Sequence, residues 1–91
     1  MKYLIVVEYE DTTGYTEEKI YDLCCSIGRT EQLTPHSFIL SAEQTAVYVR
    51  DAMKNSPYEL TSIFVSNIQS TEAWRNVMCD NSDLKAILNE Q

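Results

Sequence analysis

The stretch KYLIVVEYED at residues 2–11 constrains the fold more than any other part of the chain. Between Tyr3 and Glu8 every side chain but the last is apolar. An apolar run that starts almost at once and does not alternate reads as a strand buried on both faces. Such a strand belongs in the middle of a sheet. The run ends in three carboxylates, Glu8, Glu10 and Asp11. Acids just past the end of a buried strand are oxygen ligands that a hard metal ion such as Mg²⁺ can use.

The remaining elements follow from periodicity and punctuation. Asp11 to Gly14 is a polar turn. Thr16 is placed as a helix N-cap, with Glu17 and Glu18 in the first turn, where the helix dipole favours acids. Tyr15 and Ile20 stand at the two positions of a hydrophobic staple. Ile20, Leu23, Cys24 and Ile27 form the stripe of an amphipathic helix, and Gly28 is placed as its C′ stop. Arg29 to Leu33 is a polar edge strand, Thr34 and Pro35 turn the chain, and His36 to Leu40 is an apolar strand. Ser41 to Gln44 has the pattern of a capping box for a second helix, with Ala42, Ala46, Val49 and Met53 along one face. Asn55, Ser56 and Pro57 end it. Leu60 to Ile68 is a long strand with apolar side chains on both parities. Beyond about Ser70 comes a tail with Trp74 and a short helix capped near Asn81 or Ser82, carrying Leu84, Ile87 and Leu88.

The order is βαββαβ, which predicts an α+β fold: a ferredoxin-like sandwich with a four-stranded antiparallel sheet and two helices on one face. The first and third strands are central and the last is an edge. An edge strand apolar on both sides needs a cover, either the Trp74 tail or a second subunit. With 91 residues, the whole chain, 1–91, is one small domain, and residues 70–91 form a tail that packs on it or on a dimer mate.

Composition narrows the partners. Fourteen acids face seven bases, a net charge of −7. A generic nucleic-acid binder needs a basic field to neutralise phosphates, so this balance disfavours nucleic acid. It leaves room for a basic protein partner, as an acidic regulator would have. No apolar run approaches a membrane span and no signal-peptide pattern is present, so a cytoplasmic protein without membrane contact is expected. Cys24 and Cys25 are adjacent and Cys79 stands apart. This spacing suits neither a disulfide framework nor a zinc site, and one of the thiols is expected to be a buried helix residue.

Several short motifs, in order, resemble the small Cas2-like proteins, above all the compact SinR-family branch, over residues 2 to about 75. The first strand ends Tyr9-Glu10, where the family has Tyr-Asp. The first helix ends Ile27-Gly28. The third strand carries Ser37-Phe38-Ile39-Leu40, and the second helix Val49-Arg50-Asp51-Ala52-Met53. The last strand holds Ile63-Phe64-Val65, followed by Glu72-Ala73-Trp74. The resemblance implies a homodimer built through the last strand and the tail, with Ile63, Phe64, Val65, Ile68 and Trp74 at the interface. It also implies a defence-related setting, CRISPR or toxin–antitoxin-like. Some members are magnesium-dependent nucleases that use one Asp per subunit at the end of the first strand. Others are scaffolds without catalysis.

Here the acid at that position is Glu10, and Asp11 comes one residue late. Glu10 and Asp11 are the candidate catalytic and Mg²⁺-binding residues of an endonuclease acting on RNA or DNA. The extra methylene of Glu10 displaces a metal from the geometry an Asp gives, and Mg²⁺ tolerates little error in its oxygen shell. A homodimeric scaffold that needs no cofactor is therefore the leading expectation, the endonuclease and the acidic regulator the alternatives. His36 is the single histidine and stands at a strand start just after the turn, a place that suits a surface residue better than a general acid or base. The six tyrosines suit packing and interfaces better than base stacking, because the basic and glycine residues of RNA-binding sheets are missing.

Overall fold

The structure is a computed structural model that describes residues 1–10, 15–69 and 72–90. The central element is strand β1, Lys2–Tyr9. It is followed by helix α1 (Tyr15–Ile27), strands β2 (Arg29–Thr34) and β3 (Ser37–Ser41), helix α2 (Ala46–Lys54), strand β4 (Leu60–Asn67) and helix α3 (Asn81–Leu88). The strands form one open sheet in the order β2-β3-β1-β4, and every neighbouring pair is antiparallel. The result is a small α+β fold of four strands and three helices. As the apolar density of their sequences requires, β1 and β3 are central, and β2 and β4 are the edges.

Register sorts the side chains onto two faces. Tyr3 lies opposite Leu40, Ile5 between Phe38 and Val65, and Val7 opposite Ile63. On this face α1 contributes Ile20 and Cys24, and α2 contributes Val49 and Met53, all fully buried. The two helices thus share one face, as the βαββαβ order predicts. Burying an Ile or Phe side chain in such a core contributes about 1.5–3 kcal/mol. Tyr3 satisfies its hydroxyl by donating to the Gln44 carbonyl at 2.6 Å, which lets a phenol sit in the core.

The other face has its own core. Leu4 and Ile39 are register partners there. Leu84, Ile87 and Leu88 of α3 pack on Ile39, with Leu4, Leu33, Ile68, Trp74 and Val77 around them. The tail therefore packs on its own sheet. Lys2 Nζ donates to the Leu88 carbonyl at the C-terminal end of α3, where a cation also meets the negative end of the helix dipole.

Three local expectations need correction. Helix α1 begins at Tyr15, so Thr16 lies inside it and is not its cap. The Ser41–Gln44 box does not open α2. Ser41 is the last residue of β3, paired with both Lys2 and Arg29, and α2 starts after Thr45, whose Oγ1 accepts the Tyr48 amide at 3.1 Å. A Ser in the middle of a three-strand ladder is claimed by sheet pairing, and Thr45 offers the same capping chemistry one turn later. Gly28 does not adopt the left-handed backbone of a C′ glycine. It is required because a Cβ there would overlap the Ser41 carbonyl oxygen and stand 3.2 Å from Ala42 Cβ. The polar turn placed at Asp11 to Gly14 lies outside the described residues.

Because the obstacle at Gly28 is backbone, the clash cannot be relieved by a rotamer change. Gly28→Ala is expected to lower the unfolding free energy by about 2 kcal/mol or more. Urea denaturation followed by circular dichroism measures this directly.

Candidate functional site

The three carboxylates after β1 do not converge. Glu8 and Glu10 are exposed. Glu8 lies opposite Ser62 on the face that carries α3, and Asp11 lies outside the described residues. Among the described residues, no group of three or more His, Cys, Asp or Glu side chains is placed to hold a metal ion. Residues that sequence reasoning left apart do meet at this end of the sheet. The Tyr9 and His36 rings lie 4.7 Å apart at 37°, and Tyr9 donates its hydroxyl to the Pro35 carbonyl at 3.1 Å. The Val7 amide donates to the His36 carbonyl at 2.9 Å. These contacts fasten the β2–β3 hairpin tip to β1. His36 is thus a structural neighbour of Tyr9, one residue before β3 begins.

The acids that do crowd together are others. Burial, together with the nearby Asp83 and Asp80 carboxylates, raises the pKa of Glu31 on β2, against a smaller lowering effect of Arg29. Of the thiols, Cys24 is buried in the core of α1. Its burial, and secondarily Cys25, push its pKa up to about 12. A thiol held in that form is a packing group, not a nucleophile.

The two sheet edges differ sharply. On β2 the chain covers itself: the Met78 amide donates to the Leu33 carbonyl at 2.9 Å and the Cys79 amide to the Gln32 carbonyl at 3.1 Å. Asn76, with φ of 57°, turns the tail just before these bonds, a conformation Asn tolerates better than most residues. On β4, by contrast, no described strand pairs with the outer edge. Its sequence, LTSIFVSN, holds no charge and no proline, the usual protections of an exposed edge. Its apolar residues divide between the faces. Ile63 and Val65 pack against the helical core. Phe64 points the other way and is 59% exposed. On α2 beside it, Val47 and Tyr48 are 57% and 54% exposed. A hollow of about 120 Å³ between α2 and β4 is lined by Ala46, Val47, Arg50 and Val65. The Arg50 guanidinium is held by Asp51 at 2.8 Å.

Of the five residues expected at an interface, Ile63, Phe64 and Val65 thus lie on the bare edge strand. Ile68 and Trp74, partly buried, pack against the core under α3, and Trp74 Nε1 donates to Asn81 Oδ1 at 3.0 Å. Sequence reasoning missed Val47 and Tyr48. They are the apolar residues of α2 that fall outside its buried stripe, a signal present in the helical spacing.

Comparison of the chain with family models, with curated proteins and with solved structures finds no match in any of the three.

The raised pKa of Glu31 means that the folded state binds the proton more tightly than the unfolded chain does. Glu31 therefore costs stability at neutral pH, and that cost is relieved as the pH falls through its raised folded-state value. Glu31→Gln is expected to stabilise the protein at pH 7 by no more than about 1 kcal/mol at low salt. Thermal melts from pH 7 downward should show the variant's advantage disappearing on the acid side of the ordinary glutamate range.

Proposed function

We propose that this chain is an interaction protein without catalytic activity: a homodimeric scaffold of ferredoxin-like fold, joined through the outer edge of β4. The observation that carries this reading is the contrast between the edges. The chain covers β2 with its own tail and leaves an uncharged eight-residue strand, Leu60–Asn67, at the other side. The resemblance to Cas2-like proteins points the same way, toward a scaffold in a defence-related setting.

A second copy is the natural occupant. Antiparallel pairing of β4 with itself about a two-fold axis is isologous, so one surface serves both subunits. Each subunit carries a net charge of −7, yet the paired strands bring no like charges face to face. Phe64 and Val47, on opposite sides of the edge, would both be drawn out of water. Because α3 packs on the second sheet face, stacking of two open sheet faces is the poorer route to a dimer.

The same pairing argues against shared-carboxylate chemistry. Glu10 follows Tyr9, which is opposite Leu60 at the start of β4. With the axis near Ile63 and Phe64, the two copies of Glu10 fall at opposite ends of the joint, about 20 Å or more apart at strand spacing. A pair of metals bridging a scissile phosphate needs ligands within about 4 Å of each other's ions. The Mg²⁺-dependent endonuclease is therefore the weaker alternative.

Sedimentation equilibrium is expected to show a dimer at micromolar concentration. Phe64→Lys should weaken it by about tenfold or more, the loss typical of an aromatic anchor, without lowering the melting temperature of the monomer. Added salt should tighten the wild-type dimer by screening the like net charges. A monomer across the whole concentration range would overturn the reading.

The protein is also expected to leave RNA and DNA intact in the presence of Mg²⁺. Cleavage that Glu10→Ala abolishes would replace the scaffold with the nuclease.

A further inference from the structure

Between α3 and the second sheet face the packing is incomplete. A hollow of about 260 Å³ has walls formed chiefly by Leu4, Ile39, Ile68, Leu84, Leu88 and Trp74. A native interior leaves few voids larger than a water molecule, and small-molecule sites are apolar hollows of this order with a few placed polar groups. Here the polar groups stand at one end. The hollow adjoins a second of about 410 Å³ that Lys2, Gln69, Lys85 and Asn89 line. Glu72, Trp74 and Leu88 border both.

Glu72 is the informative residue. Its Oε2 is buried and has no hydrogen-bond partner among the described residues. Leaving a buried acceptor unmatched is costly, and a carboxylate oxygen is best matched by an ammonium donor. Lys2 does not pair with it: its Nζ donates to the Leu88 carbonyl, and the ammonium keeps two further donors for a ligand. That bond fixes one positive charge at the rim. Lys85 adds a second, exposed and in neither of the ion pairs of the described residues. Trp74 is oriented by its bond to Asn81, so the indole is a fixed wall between the apolar and polar ends.

We propose that this groove binds a small zwitterion with an apolar side chain, that is, an apolar α-amino acid. The side chain enters the hollow beside Trp74. The ammonium donates to Glu72, and the carboxylate faces Lys2 and Lys85. Each part of the ligand answers a feature of the groove: unfilled apolar volume, an unmatched carboxylate oxygen, and two cations at the rim. The site lies under α3, apart from the β4 edge, and does not depend on dimer formation.

The chain has a single tryptophan, so fluorescence excited at the red edge, where the tyrosines do not absorb, reports on this groove alone. Titration of the full chain with L-leucine should give a saturable change in Trp74 emission. Two analogues divide the recognition: 4-methylpentanoate lacks the ammonium and isopentylamine lacks the carboxylate, and each should bind about tenfold more weakly, the value of one charge-assisted hydrogen bond. Glu72→Gln should weaken leucine and isopentylamine while sparing 4-methylpentanoate. Lys85→Met should do the reverse, weakening leucine and 4-methylpentanoate only. Lys85 is exposed and Glu72 half-buried, and a melting curve confirms that each variant is folded before titration. If L-leucine, L-isoleucine and L-phenylalanine leave Trp74 emission unchanged up to about 10 mM, the proposal is wrong. Equal binding of leucine and both analogues would also overturn it, because the hollow would then take up apolar matter without reading the zwitterion.

Discussion

Everything in this fold hangs on the two-sided burial of β1 against β3. Tyr3, Ile5 and Val7 face one way with Phe38 and Leu40, into the core under α1 and α2. Leu4 and Ile39 face the other way, into the core under α3. The two cores lie on opposite faces of these central strands. A pleated strand alternates its side chains, so both faces of β1 can be apolar only if both faces are covered. That requirement fixes where the tail must go. It also explains the tether between Lys2 at the start of β1 and the C-terminal end of α3.

Covering the second face has a consequence for the edges. The tail reaches α3 by crossing β2, and it satisfies Leu33 and Gln32 carbonyls on the way. Among the described residues nothing equivalent happens at β4, whose uncharged edge is left with Phe64 on one side and Val65 and Val47 on the other. In a 91-residue chain the core is small, and further burial of apolar surface by assembly is a natural source of stability. The scaffold reading follows from this uneven treatment of two edges within one sheet.

Much of the architecture was legible in the sequence. The unalternating run in β1, the stripe of Ile20, Cys24 and Ile27, and the apolar β3 and β4 were enough for the element order and for the central position of β1 and β3. Cap chemistry was less legible, because Ser41 and Thr45 carry equivalent hydroxyls and only the sheet register decides which one is free. Gly28 was rightly read as a stop but for the wrong cause: the close approach of the Ser41 carbonyl, across the β2–β3 hairpin, is a contact that local sequence pattern does not show. The candidate site was legible only in part. The apolar β4 residues stood out, whereas the division of Phe64 from Ile68 and Trp74 depends on where α3 lands. The partnerless oxygen of Glu72 has no signature in local sequence at all.

The scaffold reading requires that the outer edge of β4 be paired in the working molecule. Residue-resolved hydrogen–deuterium exchange across a dilution series tests this most directly. Edge amides that bond only across a dimer joint exchange slowly when it forms and rapidly when it separates. The account predicts that alternate amides within Leu60–Asn67 are protected at high concentration and lose protection together on dilution, while the β1 amides stay protected throughout. Fast exchange of those β4 amides at every concentration would contradict it.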